Sequence, residues 1–147
     1  FVSPAELWKQ SHQNGDYERL FNASGDLPKF ILQDLCKIHG VENYRKTEGN
    51  TFPYMLCVLV SESSKPEGYK IQHIPSQTYA IFPSEKFKWD EDFMEVLRNI
   101  QKRFYTEWLP TANYERVDGA NFEIYGGDRE YGYIELWFPV KQINIIK

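Results

Sequence analysis

Apolar and polar residues follow two kinds of spacing along this chain, and each kind predicts a different element. Over residues 90–107 apolar side chains recur every three or four positions, which is typical of an amphipathic helix, and Asp90 is a candidate cap. The same spacing predicts a helix over residues 26–39, with Gly40 as its C-terminal stop. A shorter helix is predicted for Pro4–Gln13.

Extended segments fill the chain between these helices. Strands are predicted for residues 41–47, 53–60, 69–74, 77–82, 121–125 and 131–138. The apolar run 55–60 predicts a central strand that is covered on both faces. Residues 61–68 are polar, with a proline and a glycine, and predict a linker.

A helix followed by a hairpin occurs twice, which indicates one supersecondary unit used in two copies. We place the copies at about residues 1–60 and 69–141, within a single domain over residues 1–147. The first copy has no opening strand, so we expect that strand to be missing at the N-terminus. Two such units side by side would leave a ligand cleft near their pseudo-twofold axis.

The last predicted strand carries a carboxylate between two aromatic rings. Successive side chains of a strand alternate between faces, so Tyr133, Glu135 and Trp137 share one face. The opposite face is aliphatic and aromatic and suits a covering helix. A glutamate between two rings suits a cation.

The register of this hairpin decides what else lies on that face. With Gly126-Gly127-Asp128 as the turn, Tyr125 is expected opposite Tyr131. Glu123 would then lie on the Glu135 face, as its diagonal neighbour at roughly 7 Å or less.

Composition narrows the function classes. The chain has 147 residues, 16% of them aromatic, and a formal charge of −4 without a Lys/Arg cluster, which argues against direct nucleic-acid binding. No apolar run approaches the ~18 residues of a membrane span. Cys36 and Cys57 are expected to be reduced thiols in a cytoplasmic protein. The three histidines are scattered, and we expect no metal and no cofactor.

Four motifs together are similar to a known family. They are Tyr79-Ala80-Ile81-Phe82-Pro83; Glu107-Trp108-Leu109-Pro110-Thr111 with Tyr114-Glu115; Phe122-Glu123-Ile124-Tyr125; and Ile134-Glu135-Leu136-Trp137-Phe138-Pro139-Val140-Lys141. In this order they resemble the GyrI-like small-molecule-binding domain, the effector-binding domain of many AraC-type transcriptional regulators, which also occurs alone. The resemblance extends from about Trp8 to Lys141.

The resemblance implies an α+β fold of duplicated strand-helix-strand-strand units. Their antiparallel sheet would carry helices on one side and a ligand cleft between the halves. It also implies a pocket built on Glu135, with Tyr54 from the first copy, an aromatic at Trp137, and Glu123 as a second acid. No helix-turn-helix is present in this chain, so DNA would be reached only through another domain.

Further pocket candidates are Tyr133, Tyr79, Trp108 and Tyr114. Tyr79 and Phe82 point to opposite faces of their strand, so one of them at most reaches the pocket. Trp108 is more simply explained as a core residue.

Three functions remain open for this chain. The first is a sensor of a small cationic or aromatic molecule, in a transcriptional regulator or alone, with multidrug binding as in relatives. The second is a hydrolase of electrophilic small molecules with Glu135 as general base. The third is a protein-binding inhibitory domain, as in the gyrase-inhibitor branch. Glu135 could also simply pair with Arg45, Arg116 or Arg129. The oligomeric state is not predicted.

Overall fold

A computed structural model describes residues 2–31 and 36–143 as three α-helices and seven strands. The elements in chain order are α1 (Pro4–Gln13), α2 (Asp16–Ser24), β1 (His39–Glu42), β2 (Tyr54–Cys57), β3 (Thr78–Pro83), β4 (Phe87–Lys88), α3 (Phe93–Lys102), a π-helical segment (Arg103–Trp108), β5 (Tyr114–Arg116), β6 (Asn121–Gly127) and β7 (Tyr131–Gln142). The expected α+β class is confirmed.

All strand pairs of the sheet are antiparallel. The order is β2-β1-β6-β7-β3, and β4 and β5 also pair with the long strand β7. The β1–β6 pairing therefore joins the hairpin of the first half to the hairpin of the second half. Side chains at this junction belong to both halves of the chain.

Helix α3 and the π-helical segment cover one face of the sheet. The Asp92 side chain caps α3 by accepting from the amides of Met94 and Glu95. Phe104 is fully buried and stacks parallel on Phe138 of β7, with 3.9 Å between ring centroids. The predicted helix over 90–107 is confirmed, although its cap is Asp92 and its last turns are π-helical.

Helix α1 lies on the same face of the sheet as α3. Ser3 caps it through the amide of Glu6, and Pro4 occupies its first turn. Its Trp8 packs edge-on against Tyr125 of β6, and Phe93 of α3 lies 6.1 Å from the same ring. Tyr125 therefore lies between the two helices.

The opposite face of the sheet is covered by segments without regular secondary structure. Ile31, Val41, Phe122 and Ile124 belong to a buried cluster there, which we call the Phe122 cluster, and Leu27, Leu59 and Ile74 pack against it. Cys36 and Cys57 carry free thiols.

The helix predicted over residues 26–39 is wrong for the part that the structure describes. Residues 26–31 form bends and a turn, in which the Ile31 amide donates a hydrogen bond to the Pro28 carbonyl. At the other end of the predicted helix, His39 belongs to β1. Residues 32–35 lie outside the described residues. Ile31 is part of the Phe122 cluster and Leu27 packs against it, so these residues are apolar and helical spacing arose without a helix. The helices of the first half are α1 and α2, and α2 was not predicted.

Two strand predictions also fail. β2 is the edge strand of the sheet and is partly exposed along its length, so residues 55–60 do not form a central strand. Residues 69–74 have no strand partner within the described chain. The apolar residues of both segments line cavities beside the sheet, which explains their apolar character without a strand.

Replacing Phe104 should test the packing that holds α3 on the sheet. Phe104→Ala should lower the free energy of unfolding by about 3–5 kcal/mol, because it removes a fully buried ring and leaves a cavity. Met94→Ala, at a half-exposed position of α3, should cost less than about 0.5 kcal/mol. Urea denaturation measures both variants, and equal losses would contradict this packing.

Candidate functional site

The two candidate carboxylates lie on adjacent strands but on opposite faces of the sheet. Glu123 is opposite Leu136 in the β6–β7 pairing, and Ile124 is opposite Glu135. Directly opposite residues project to the same face. Glu123 therefore faces α1 and α3, and Glu135 faces the other way.

The expected register is wrong by three residues. Tyr125 pairs with Ile134 rather than with Tyr131, and an odd shift exchanges the two faces of a strand. The cause is the turn, since Gly126 and Gly127 belong to β6. The reversal is made by residues 128–131, where Asp128 Oδ1 accepts from the amides of Glu130 and Tyr131.

Glu123 lies at the centre of an aromatic cluster on the helix-covered face. Its Oε2 accepts hydrogen bonds from the hydroxyls of Tyr125, at 2.5 Å, and of Tyr54, at 2.8 Å. The Tyr54 hydroxyl in turn accepts from the indole Nε1 of Trp8, at 2.7 Å. We call Trp8, Tyr54, Glu123 and Tyr125 the Glu123 cluster. It joins α1, β2 and β6, so both halves of the chain build it.

Gly40 makes this arrangement sterically possible. It pairs with Glu123 across β1–β6 and with Leu56 across β1–β2. A Cβ at this position would collide with the Tyr54 hydroxyl and lie 3.1 Å from Glu123 Oε2. A glycine within a strand often marks such a close approach.

Burial shifts the protonation equilibria of the cluster. Burial raises the pKa of Glu123, while the hydrogen bonds from the two tyrosines act in the opposite direction. Burial and the charge of Glu123 raise the pKa of Tyr54 and of Tyr125. Both hydroxyls therefore remain protonated and act as donors.

Neither carboxylate has a basic partner among the described residues. The ion pairs in that part of the chain are Arg19–Asp16, Arg98–Asp92 and Lys141–Glu115. The pairing of Glu135 with Arg45, Arg116 or Arg129 that the sequence left open is absent from it. Arg116 donates instead to Asn121.

A cavity of about 310 Å³ adjoins the Glu123 cluster at Tyr54. It lies between the two N-terminal helices and the edge strand and is lined by Leu7, Ser11, Asp16, Arg19, Leu20, Tyr54, Met55, Leu56 and Tyr69. We call it the Tyr54 cavity. It reaches the lower end of the size range of small-molecule sites.

The Glu135 side chain is 8% exposed, and its hydrogen-bond partners are two side chains of its own strand. Its Oε2 accepts from the Tyr133 hydroxyl at 3.0 Å, and its Oε1 accepts from Trp137 Nε1 at 3.1 Å. Tyr79 packs 5.8 Å from Trp137 on this face, while Phe82 packs against Phe104 on the other, as expected for alternating residues.

The remaining predicted site residues do not join Glu135. Tyr54 was expected beside Glu135. It lies instead on the opposite face of the sheet, next to Glu123, because of the register in which β2 pairs with β1. Trp108 and Tyr114 stack on each other, 5.6 Å apart, against the core under α3.

Three residues of the Glu123 cluster and its surroundings were not predicted as site residues. Trp8 and Tyr125 read as ordinary aromatic residues of a helix and a strand, and only tertiary pairing brings them together. Gly40 did carry a signal, but it was interpreted as a helix stop rather than as a strand glycine.

Residues 2–31 and 36–143 contain no group of three or more metal-ligating side chains placed to hold an ion. No helix in this part of the chain has the length and apolar character to cross a membrane.

Comparison with known proteins identifies the protein family that this sequence matches. The family model described as integron-associated effector-binding protein matches residues 3–140. A protein named DNA gyrase inhibitor from Serratia proteamaculans (strain 568) is 34% identical over 79 residues. That match covers 53% of this chain and 47% of the relative, so the aligned part is about half of each protein. Comparison with solved structures gives no significant match.

Gly40→Ala should destabilise the protein through its contact with the Glu123 cluster. The added methyl group should cost about 1–3 kcal/mol, because the Tyr54 hydroxyl must move away from Glu123. As a control, the cost of Gly40→Ala is also measured in the Tyr54→Phe variant, by urea denaturation of both single variants and of the double variant. The Gly40→Ala cost should be clearly smaller when the hydroxyl is absent, and equal costs in both backgrounds would contradict the contact.

The buried His39 predicts how stability depends on pH. Burial lowers the pKa of His39 to about 4, and its Nδ1 accepts from the Tyr125 amide. The unfolded chain binds this proton at a higher pH than the folded chain does. Stability should therefore fall by up to about 3 kcal/mol as the pH decreases from about 6.5 to about 4.

The raised pKa of Glu123 acts with the opposite sign, since its folded state binds the proton more readily. The contribution of His39 to the pH dependence of stability is therefore measured in the Glu123→Gln variant, by urea denaturation at several pH values. Titration of the His39 imidazole near pH 6.5 in an NMR experiment would contradict its buried, neutral state.

Proposed function

The chain belongs to the family of integron-associated effector-binding proteins, which is GyrI-like, and we propose that its effector is an organic cation recognised at the Glu123 cluster. The observation that carries this proposal is a half-buried carboxylate that accepts from tyrosine hydroxyls and has no basic partner among the described residues. Its two hydrogen-bond donors are neutral tyrosines.

A cation would complete this site electrostatically. A negative charge that is partly removed from water is costly unless it is paired, and Glu123 is left either protonated or stabilised by two hydroxyl groups. A positively charged guest supplies the missing partner. An anionic guest would meet an unfavourable charge and no basic side chain of the cluster.

The rings of the cluster favour the same kind of guest. A cation held over an aromatic face gains about 0.5–2 kcal/mol, depending on how far it is desolvated. Tyr54 both contacts Glu123 and forms a wall of the Tyr54 cavity. The charged group of the effector would lie at Glu123, and its apolar body would extend into this cavity.

Glu135 is the alternative recognition group. It is buried more deeply than Glu123, and it is flanked by Tyr133 and Trp137, as the resemblance implied. Glu123 is favoured because it lies between the two halves of the chain and beside the Tyr54 cavity. An effector there would contact α1 through Trp8, so its binding can alter how α1 sits on the sheet.

We propose that this change of α1 is what the protein passes on, either to a linked DNA-binding domain in a transcriptional regulator or to a separate partner. Both routes require residues or proteins beyond this chain. Recognition of several different hydrophobic cations fits a site built from rings and one charge.

Hydrolysis is the second candidate function. Glu123, with its raised pKa, would be the general base, and the Tyr54 or Tyr125 hydroxyl that now donates to it would have to turn to the substrate to polarise it. Turnover of an isothiocyanate or an epoxide, followed by mass spectrometry and abolished in Glu123→Gln, would make the protein an enzyme.

The cation proposal is tested with phenyltrimethylammonium, benzyltriethylammonium and tetraphenylphosphonium, and with tetraphenylborate as an anion of matched shape. At least one cation should bind and raise the melting temperature, while tetraphenylborate should not. Glu123→Gln should weaken the cation about 10- to 100-fold, because a charged interaction of about 1.5–3 kcal/mol is lost. Calorimetry measures the affinities.

Glu115→Gln is the matched control, because Glu115 is exposed and pairs with Lys141. It should bind the cation with unchanged affinity. Loss of binding in Glu135→Gln with no change in Glu123→Gln would move the site to the other face and overturn this assignment. Failure of all three cations to bind would reject the cationic effector.

A further inference from the structure

We infer that the protein has a second ligand site, on the sheet face opposite Glu123, which takes an amphiphilic anion such as a medium-chain fatty acid. The site is a cavity of about 300 Å³ beneath the segment 58–74. We call it the Phe122 cavity, since Phe122 of β6 and Val41 of β1 form its floor. The effector proposed above plays no part in this inference.

The Phe122 cavity and the Tyr54 cavity are separated by the edge strand β2. Tyr54 faces α1, whereas Cys57 of the same strand faces the Phe122 cluster. The two cavities adjoin and share four lining residues, which are Leu20, Met55, Leu56 and Tyr69. Cys57 and Leu59 line only the Phe122 cavity, so they report on that site alone.

The walls of the Phe122 cavity are suited to a hydrocarbon chain. Its floor is the buried cluster of the sheet, and Met55, Leu59 and Ile74 extend the apolar surface. An alkyl chain that lies against these walls removes apolar surface from water on both sides, which favours binding.

The charge at the cavity decides the head group. Of the described residues that line it, Lys70 is the one with a charge, and its side chain is in none of the ion pairs of the described chain. Lys70 is also exposed, so it stands where the cavity meets solvent. A carboxylate at this position pairs with the ammonium group while the alkyl chain lies inside. The Glu123 cluster has the opposite charge preference.

The roof of the cavity is fixed at one end and irregular elsewhere. The Ser64 hydroxyl donates to the Ser24 carbonyl at the end of α2, and the Ser63 hydroxyl accepts from the Asp26 amide. Residues 58–77 contain no helix or strand. A roof of this kind can adjust to a guest without breaking the backbone pairing of the sheet.

The test uses Cys57 as a reporter in the Cys36→Ser variant, so that Cys57 is the one remaining thiol. Burial and the charge of Glu123 raise its pKa to about 12, so alkylation by N-ethylmaleimide is slow and is followed by mass spectrometry. Decanoate should slow this alkylation at least tenfold at saturation. Octanoate should bind roughly 15-fold more weakly, since each buried methylene contributes about fourfold.

Decylamine and decanol test the head group, and both should protect Cys57 less well than decanoate. Lys70→Gln should weaken decanoate about tenfold and remove its advantage over decanol. Lys65→Gln, on the same segment but outside the cavity lining, should leave decanoate binding unchanged. Leu59→Trp, which fills the cavity, should abolish the binding.

Failure of decanoate to protect Cys57 would reject the site. Equal protection by decylamine or decanol would reject the anionic ligand class. Protection that persists in Leu59→Trp would show that the anion acts elsewhere on the protein. Protection that rises with protein concentration in the absence of ligand would instead assign the cavity to a second copy of the chain.

Discussion

The register of β6 against β7 is the constraint on which both candidate sites depend. Asp128 sets this register by accepting from two amides of the turn, while its own amide donates to the Tyr131 carbonyl. Gly127 has a positive φ of 110°, and a Cβ there would collide with the Tyr131 carbonyl oxygen. A slip of one residue would exchange every side chain between the two faces. The turn therefore determines which ligand environment each carboxylate receives.

The two faces differ because they are covered in different ways. Regular helices cover the Glu123 face, so polar groups there are held by side chains of defined position, such as the indole of Trp8. Irregular segments cover the Phe122 face and leave space between their apolar side chains and the sheet. Each cover suits a different task. The first orients hydrogen bonds around Glu123, and the second leaves a space that is lined by apolar side chains.

Sequence patterns predicted those elements whose apolar periodicity comes only from burying one face of a regular helix or strand. α3, α1 and the last hairpin were found because their apolar spacing arises from burying a single face of a helix or strand. The segment 26–31 failed because its apolar residues cover a cluster from an irregular backbone, which can imitate helical spacing. The aromatic surroundings of Glu135 were predictable from alternation within one strand. The Glu123 cluster was not, since it joins Trp8, Tyr54 and Tyr125 across pairings that no local pattern encodes.

The chemistry of Glu123 follows from what its neighbours lack. A lysine or arginine beside it would have lowered its pKa and occupied the position that a guest cation needs. Two tyrosine hydroxyls stabilise the carboxylate without neutralising it, because burial keeps their own protons in place. The residual cost of this partly desolvated charge is borne by the folded state, and the cation that we propose would relieve it. Such a site would bind the proposed cation more strongly because it is destabilised when empty, so the affinity and the stability of the empty protein would change in opposite directions.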